Sequence, residues 1–136
     1  MSRDRGSITI WVLGLVIMVM ALGGLSLDLW RGLVVRKAVA AVADAAAVAG
    51  ASGIDETAWR NGELRLDAPR ARWLADRVIA AEPDAASLRW RVQVAPQEVT
   101  VTVERDVDLT LLQIMAPGDE PLLVRVRATA RPKRES

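Results

Sequence analysis

The sequence predicts an α+β chain: a long N-terminal transmembrane and stalk helix, a second helix, and a small three-stranded antiparallel sheet. Three observations carry that prediction. Residues Ile8 to Leu27 form an unbroken run without charge. The stretch from Asp28 to Ala51 has no proline, and Gly32 is its one glycine before Gly50, so nothing in it stops a helix. From Leu88 onward apolar residues recur every second position, over Leu88 to Val94, Val99 to Val103 and Leu122 to Ala130, which is strand periodicity.

The charge-free run is twenty residues long, about 30 Å of helix at ~1.5 Å per residue, enough to cross a bilayer's hydrocarbon. A secretion signal has a shorter apolar core with a small-x-small site close behind it. Here the nearest such site is Ala38-Val39-Ala40, beyond Asp28, Arg31, Arg36 and Lys37. Length and flanks therefore favour an uncleaved anchor over a cleaved signal or a buried soluble helix. The chain divides into a flank (1–7), a transmembrane helix (8–27), an Ala-rich helical stalk (28–51) and a small α+β domain (52–136).

Along the stalk Leu29, Leu33, Arg36 and Ala40 fall on one stripe, while Ala38, Ala41, Ala45, Val48 and Ala49 make a narrow face of small side chains. Small side chains let a helix or sheet approach closely. That face suits packing on the chain's own domain, on neighbouring subunits, or on both, although alanine is also simply a strong helix former. Asp28 falls at the expected membrane edge, within reach of Arg31 one turn on. Asp44 interrupts the alanines with a charge suited either to a basic group on a partner or to water.

Ala51-Ser52-Gly53 ends the helix, with Gly53 suited to a left-handed cap. A loop through Asn61-Gly62 follows. Asp67 then reads as the cap of a second helix with Pro69 in its first turn, ending near Glu82-Pro83-Asp84. Trp73, Leu74, Val78 and Ala81 supply its expected apolar face, and Arg72, Asp76 and Ala80 lie on another. Pro96-Gln97 turns the first strand into the second. The stretch LTLLQIM after Asp108 reads as a short helix or turn closed by Pro117-Gly118-Asp119. A three-stranded sheet with one apolar face needs a cover, and the second helix and the stalk are the candidates. The terminal RPKRES reads as a frayed tail.

Composition narrows function. The chain has no cysteine and no histidine, which removes disulfides, the commonest transition-metal ligands, the usual general base and the thiol nucleophile together. From Ser52 to Ser136 there are 13 Arg plus Lys against 14 Asp plus Glu, so no basic footprint for nucleic acid appears. No cofactor, metal or small-molecule substrate is expected, and the chain reads as a non-enzyme.

The run RGSITIWVLGLVIMVMALGGLSLDLWRGLVVRKAVAAVADAAAVAGA resembles the N-terminal region of TadE/TadG-like proteins of tight-adherence (Flp-type) pilus systems. In that family an Arg-Gly precedes the membrane helix, an Asp closes it, and an Arg-containing segment leads to an Ala-Asp-Ala-Ala-Ala-x-Ala-Gly-Ala block. The matching positions are Arg5-Gly6, Asp28, Arg31 with Arg36, and Ala43 to Ala51 around Asp44. The resemblance implies a pilin-like architecture and a single-pass plasma (inner) membrane protein, its N-terminus cytoplasmic and its C-terminal domain outside. The flanking charges do not set this orientation themselves, since Arg3 and Arg5 face Arg31, Arg36 and Lys37 across the span.

The function so implied is a structural, pseudopilin-like component of pilus assembly or related secretion machinery, whose partners are membrane lipid and other assembly subunits. Asp28, Arg31, Arg36 and Asp44 would set polar registration, and Ala41, Ala45, Val48 and Ala49 close packing. Pilin-type leaders are cut after a glycine, which singles out Gly6 and Ser7. Such a cut would put Trp11 at the fifth mature position, where pilins carry a glutamate, and leaves open filament subunit or fixed assembly factor. The alternative is a membrane-anchored binding module, a small sensor or adhesin reading an envelope ligand through Arg89, Arg91, Arg125 and Arg127. An envelope enzyme would have only carboxylates such as Glu98, Glu104, Asp106 and Asp108, with no nucleophile or metal set.

Overall fold

The computed structural model describes residues 4–107 and 122–133, with side chains from residue 8 onward. The LTLLQIM stretch and the Pro117-Gly118-Asp119 turn lie outside the described residues. Helix α1 is Asp4–Ala51, followed by a short α2 (Glu56–Arg60), α3 (Ala68–Ala80), a 3-10 turn (Ala85–Ser87) and strands β1 (Leu88–Ala95), β2 (Glu98–Val107) and β3 (Leu122–Ala130). The strands form one antiparallel sheet in the order β1-β2-β3. The architecture is α+β, as the change of periodicity predicts.

Register explains why the middle strand is the dry one. Val92, Val101 and Ala128 stand in one row and Trp90, Val103 and Val126 in the next. Val99, Val101 and Val103 are fully buried, because β2 has a strand on each side and α1 covers its inner face. Helix α1 contacts β2, β3 and α3, and α3 in turn lies on β1. The core thus joins Val39, Ala43, Ala46 and Ala47 of α1 to Ala71, Ala75 and Ile79 of α3 and to the valines of the sheet. The outer end of the long helix and the sheet share one core.

Three local expectations are corrected. The stretch between α1 and α3 contains α2, capped by Asp55, whose carboxylate accepts from the Thr57 and Ala58 amides at 2.9 and 3.2 Å; Asp55 begins that turn as a capping residue does. Gly53 is not in the left-handed region; Gly62 holds that conformation, with φ +80°. What Gly53 supplies is proximity, since a Cβ there would stand 2.8 Å from the Ala71 Cα and N. The buried face of α3 is Ala71, Ala75 and Ile79, whereas Trp73 is 54% exposed under the Arg77 guanidinium and Ala81 is exposed. Small residues win that face because α1 passes close by.

The remaining elements end for legible reasons. Asp67 caps α3 by accepting from the Arg70 amide at 3.1 Å, with Pro69 in the first turn. An isolated bridge joins Ile54 and Leu66, and the Leu66 amide donates to the Pro96 carbonyl at 2.9 Å. The hairpin tip is therefore tied to the loop that enters α3. Trp90 is partly exposed because its ring reaches the sheet margin, where Nε1 donates to Asp76 at 3.0 Å.

Candidate functional site

The surfaces of α1 are where the molecule departs most from a self-contained fold. Residues Ile8 to Leu27 carry large apolar side chains that are exposed all round. A helix apolar on every face is one whose surroundings are lipid or other apolar chains. It is the one helix among the described residues long and apolar enough to cross a membrane, by length and composition.

Beyond Leu27 the helix has two alanine-rich stripes of opposite fate. Val39, Ala43, Ala46, Ala47 and Gly50 are buried, and a Cβ on Gly50 would meet the Val99 side chain at 2.9 Å. This stripe, not the small face read from the sequence, is the one that meets the chain's own sheet. Ala38, Ala41, Ala45 and Val48 are exposed, Val48 at 65%, and Ala49 is half-buried. Val34 extends this outward stripe. Its spacing runs four, three, four, three along 34, 38, 41, 45 and 48, the alternation that keeps a seam facing a partner helix. Asp44 is exposed beside it and makes no ion pair among the described residues.

The polar positions separate. Asp28 is 4% exposed, the only buried charged side chain among the described residues. Arg31 is exposed, and both it and Asp28 have interaction partners. Asp28 and Arg36 come together in the wall of a groove of about 740 Å³ between α1 and the start of β3, which Leu25, Leu29, Leu33, Leu122 and Leu123 also line. The stripe Leu29-Leu33-Arg36 was visible in the sequence, but its partners on β3 are eighty or more positions away and left no local signal. Gly6 and Ser7 lie within the backbone of α1.

The outward sheet face holds the four arginines of the alternative reading. Glu104 accepts from Arg125 Nε at 2.6 Å and Asp106 from Arg89 at 2.8 Å. Arg91 and Arg127 flank Thr102 in the register and form no ion pair among the described residues. Half of the cationic patch is therefore already answered by carboxylates of the same face. Among the described residues no group of three or more metal-ligating side chains comes together.

Residues 6–53 match the model of a family described as putative Flp pilus-assembly TadE/G-like. The match begins in the first turn of α1 and ends just past its last residue, so the sheet lies outside it. No curated protein and no solved structure matches the chain.

Proposed function

We propose that this chain, with its TadE/G-like segment over residues 6–53, is a membrane-anchored structural component of Flp-type pilus assembly or related secretion machinery. It acts without catalysing a reaction. The observation that carries the reading is the outward stripe of α1, which lies within the matched segment, is exposed, and follows seam spacing. The buried stripe fixes the helix to the sheet; the outward stripe is left for other subunits. The lower half of α1 sits in the plasma (inner) membrane with the N-terminus cytoplasmic, and the sheet domain stands outside.

In this arrangement the sheet stiffens the helix and sets how closely neighbours approach. Ala41 and Ala45 admit a second backbone, Val48 fills the space between, and Asp44 answers a basic group across the seam. The test is Ala45→Leu in the native cell. The expected result is loss of surface pili with normal membrane insertion and normal protein level. Unchanged piliation would remove the stripe from the account. Intact mass of the native protein in membrane and sheared-surface fractions then separates two roles: a chain beginning at Ser7 in the sheared fraction is a filament subunit, and an uncut chain confined to membranes is a fixed assembly factor.

A further inference from the structure

The groove at the foot of the sheet runs from lipid to cation. At its lower end Leu25 belongs to the charge-free span, and at its upper end stand Arg36 and Arg125. Leu25 and Arg36 are eleven positions apart, roughly 16 Å of helix, so the groove crosses from hydrocarbon into the headgroup layer. Its volume, about 740 Å³, lies within the range of roughly 300–1,000 Å³ usual for small-molecule sites. Leu25, Leu29 and Leu33 of α1 and Leu122 and Leu123 of β3 line it, and all five are exposed.

We infer that this groove holds one anionic phospholipid of the leaflet on the domain's side, with an acyl chain against the leucines and its phosphate at Arg36 and Arg125. The charge pattern selects that occupant. Arg36 is exposed and forms no ion pair among the described residues. Arg125 uses Nε for Glu104 and keeps a side chain 62% exposed, so the other arm of its guanidinium, with its remaining N–H donors, is available for phosphate oxygens. The one carboxylate among the described residues of the wall, Asp28, is buried and already has a partner. Trp30, exposed beside the groove, is of the type that settles at the headgroup level. The inference stands whether or not the chain assembles into a pilus.

The test is retention of phosphatidylglycerol against phosphatidylcholine by the full chain, extracted from mixed vesicles and weighed intact with its bound lipid. One phosphatidylglycerol is expected to remain bound in preference to phosphatidylcholine. Arg36→Gln is expected to lower that preference about five-fold, while Arg91→Gln, with the same charge loss on β1 at the opposite edge of the sheet, leaves it unchanged. Excess inorganic phosphate should not displace the lipid. Equal retention of both lipids, equal loss in the two variants, or displacement by phosphate would each overturn the inference. So would a photoreactive residue at Leu33 that cross-links to residues 108–121 of its own chain or to a second copy instead of to lipid.

Discussion

The two stripes on the outer half of α1 are built from nearly the same side chains and meet opposite surroundings. Ala43, Ala46 and Ala47 are closed off by the sheet and α3, whereas Ala38, Ala41 and Ala45, a fraction of a turn away, face outward. Composition cannot separate them. What separates them is phase relative to a sheet formed some forty to eighty residues later, together with Gly50 and Gly53, whose missing side chains let α1 settle on Val99 and Ala71. One stripe holds the domain together, and the other can be altered at little cost to it.

Emptying the space behind the buried stripe should have the largest effect on that contrast. Ile79 is fully buried in the core that includes Ala43, Ala46 and Ala47, and Ile79→Ala should cost about 2–5 kcal/mol, read as a lowered denaturation midpoint of the detergent-solubilised chain. Overfilling comes next. Ala46→Leu forces an isopropyl group into a site with no exposure and should cost about 1–3 kcal/mol. Removing the cap of α3 by Asp67→Ala should cost about 1 kcal/mol, because the Arg70 amide loses its acceptor. Ala45→Leu should move stability by less than about 0.5 kcal/mol, and a loss as large as that of Ala46→Leu would erase the distinction between the stripes.

Acid gives a finer probe. Amide donation from Ala58 and then the Arg65 guanidinium hold the Asp55 carboxyl below its ordinary value of 3.8. A carboxyl lowered in the folded state contributes stability that is present above that value and is lost as pH falls through the folded one. Wild type and Asp55→Asn should therefore converge in stability as pH is taken below 3.8, with the wild type losing more. A constant difference across that window would mean the charge of Asp55 contributes nothing.

Much of the fold is legible in the sequence because its signals are local. The charge-free run, the unbroken helix to Ala51, the Asp67 cap and the three alternating strands each declare themselves within a dozen residues. The family resemblance is legible for the same reason, carried by Arg5-Gly6, Asp28 and the block around Asp44 in one stretch. What escapes is nonlocal. Nothing near Gly53 reveals that Ala71 will press on it, so it reads as a cap when it is a point of contact. Trp73 reads as core until Ala71, Ala75 and Ile79 are seen to fit beneath α1, where an indole would not. The groove at Arg36 requires Leu122 and Leu123, which only the β2–β3 pairing brings to the foot of the helix.

The chain has no cysteine, so one introduced thiol reports on one position. The most direct measurement is cross-linking of Ala45→Cys and, separately, Ala46→Cys in native membranes, using a short bis-maleimide and intact-mass detection of adducts. The account predicts adducts between position 45 and other protein subunits, and none from position 46. No adduct from position 45, with its thiol open to soluble maleimide in assembled membranes, would contradict the claim that the outward stripe of α1 is the contact through which this chain assembles.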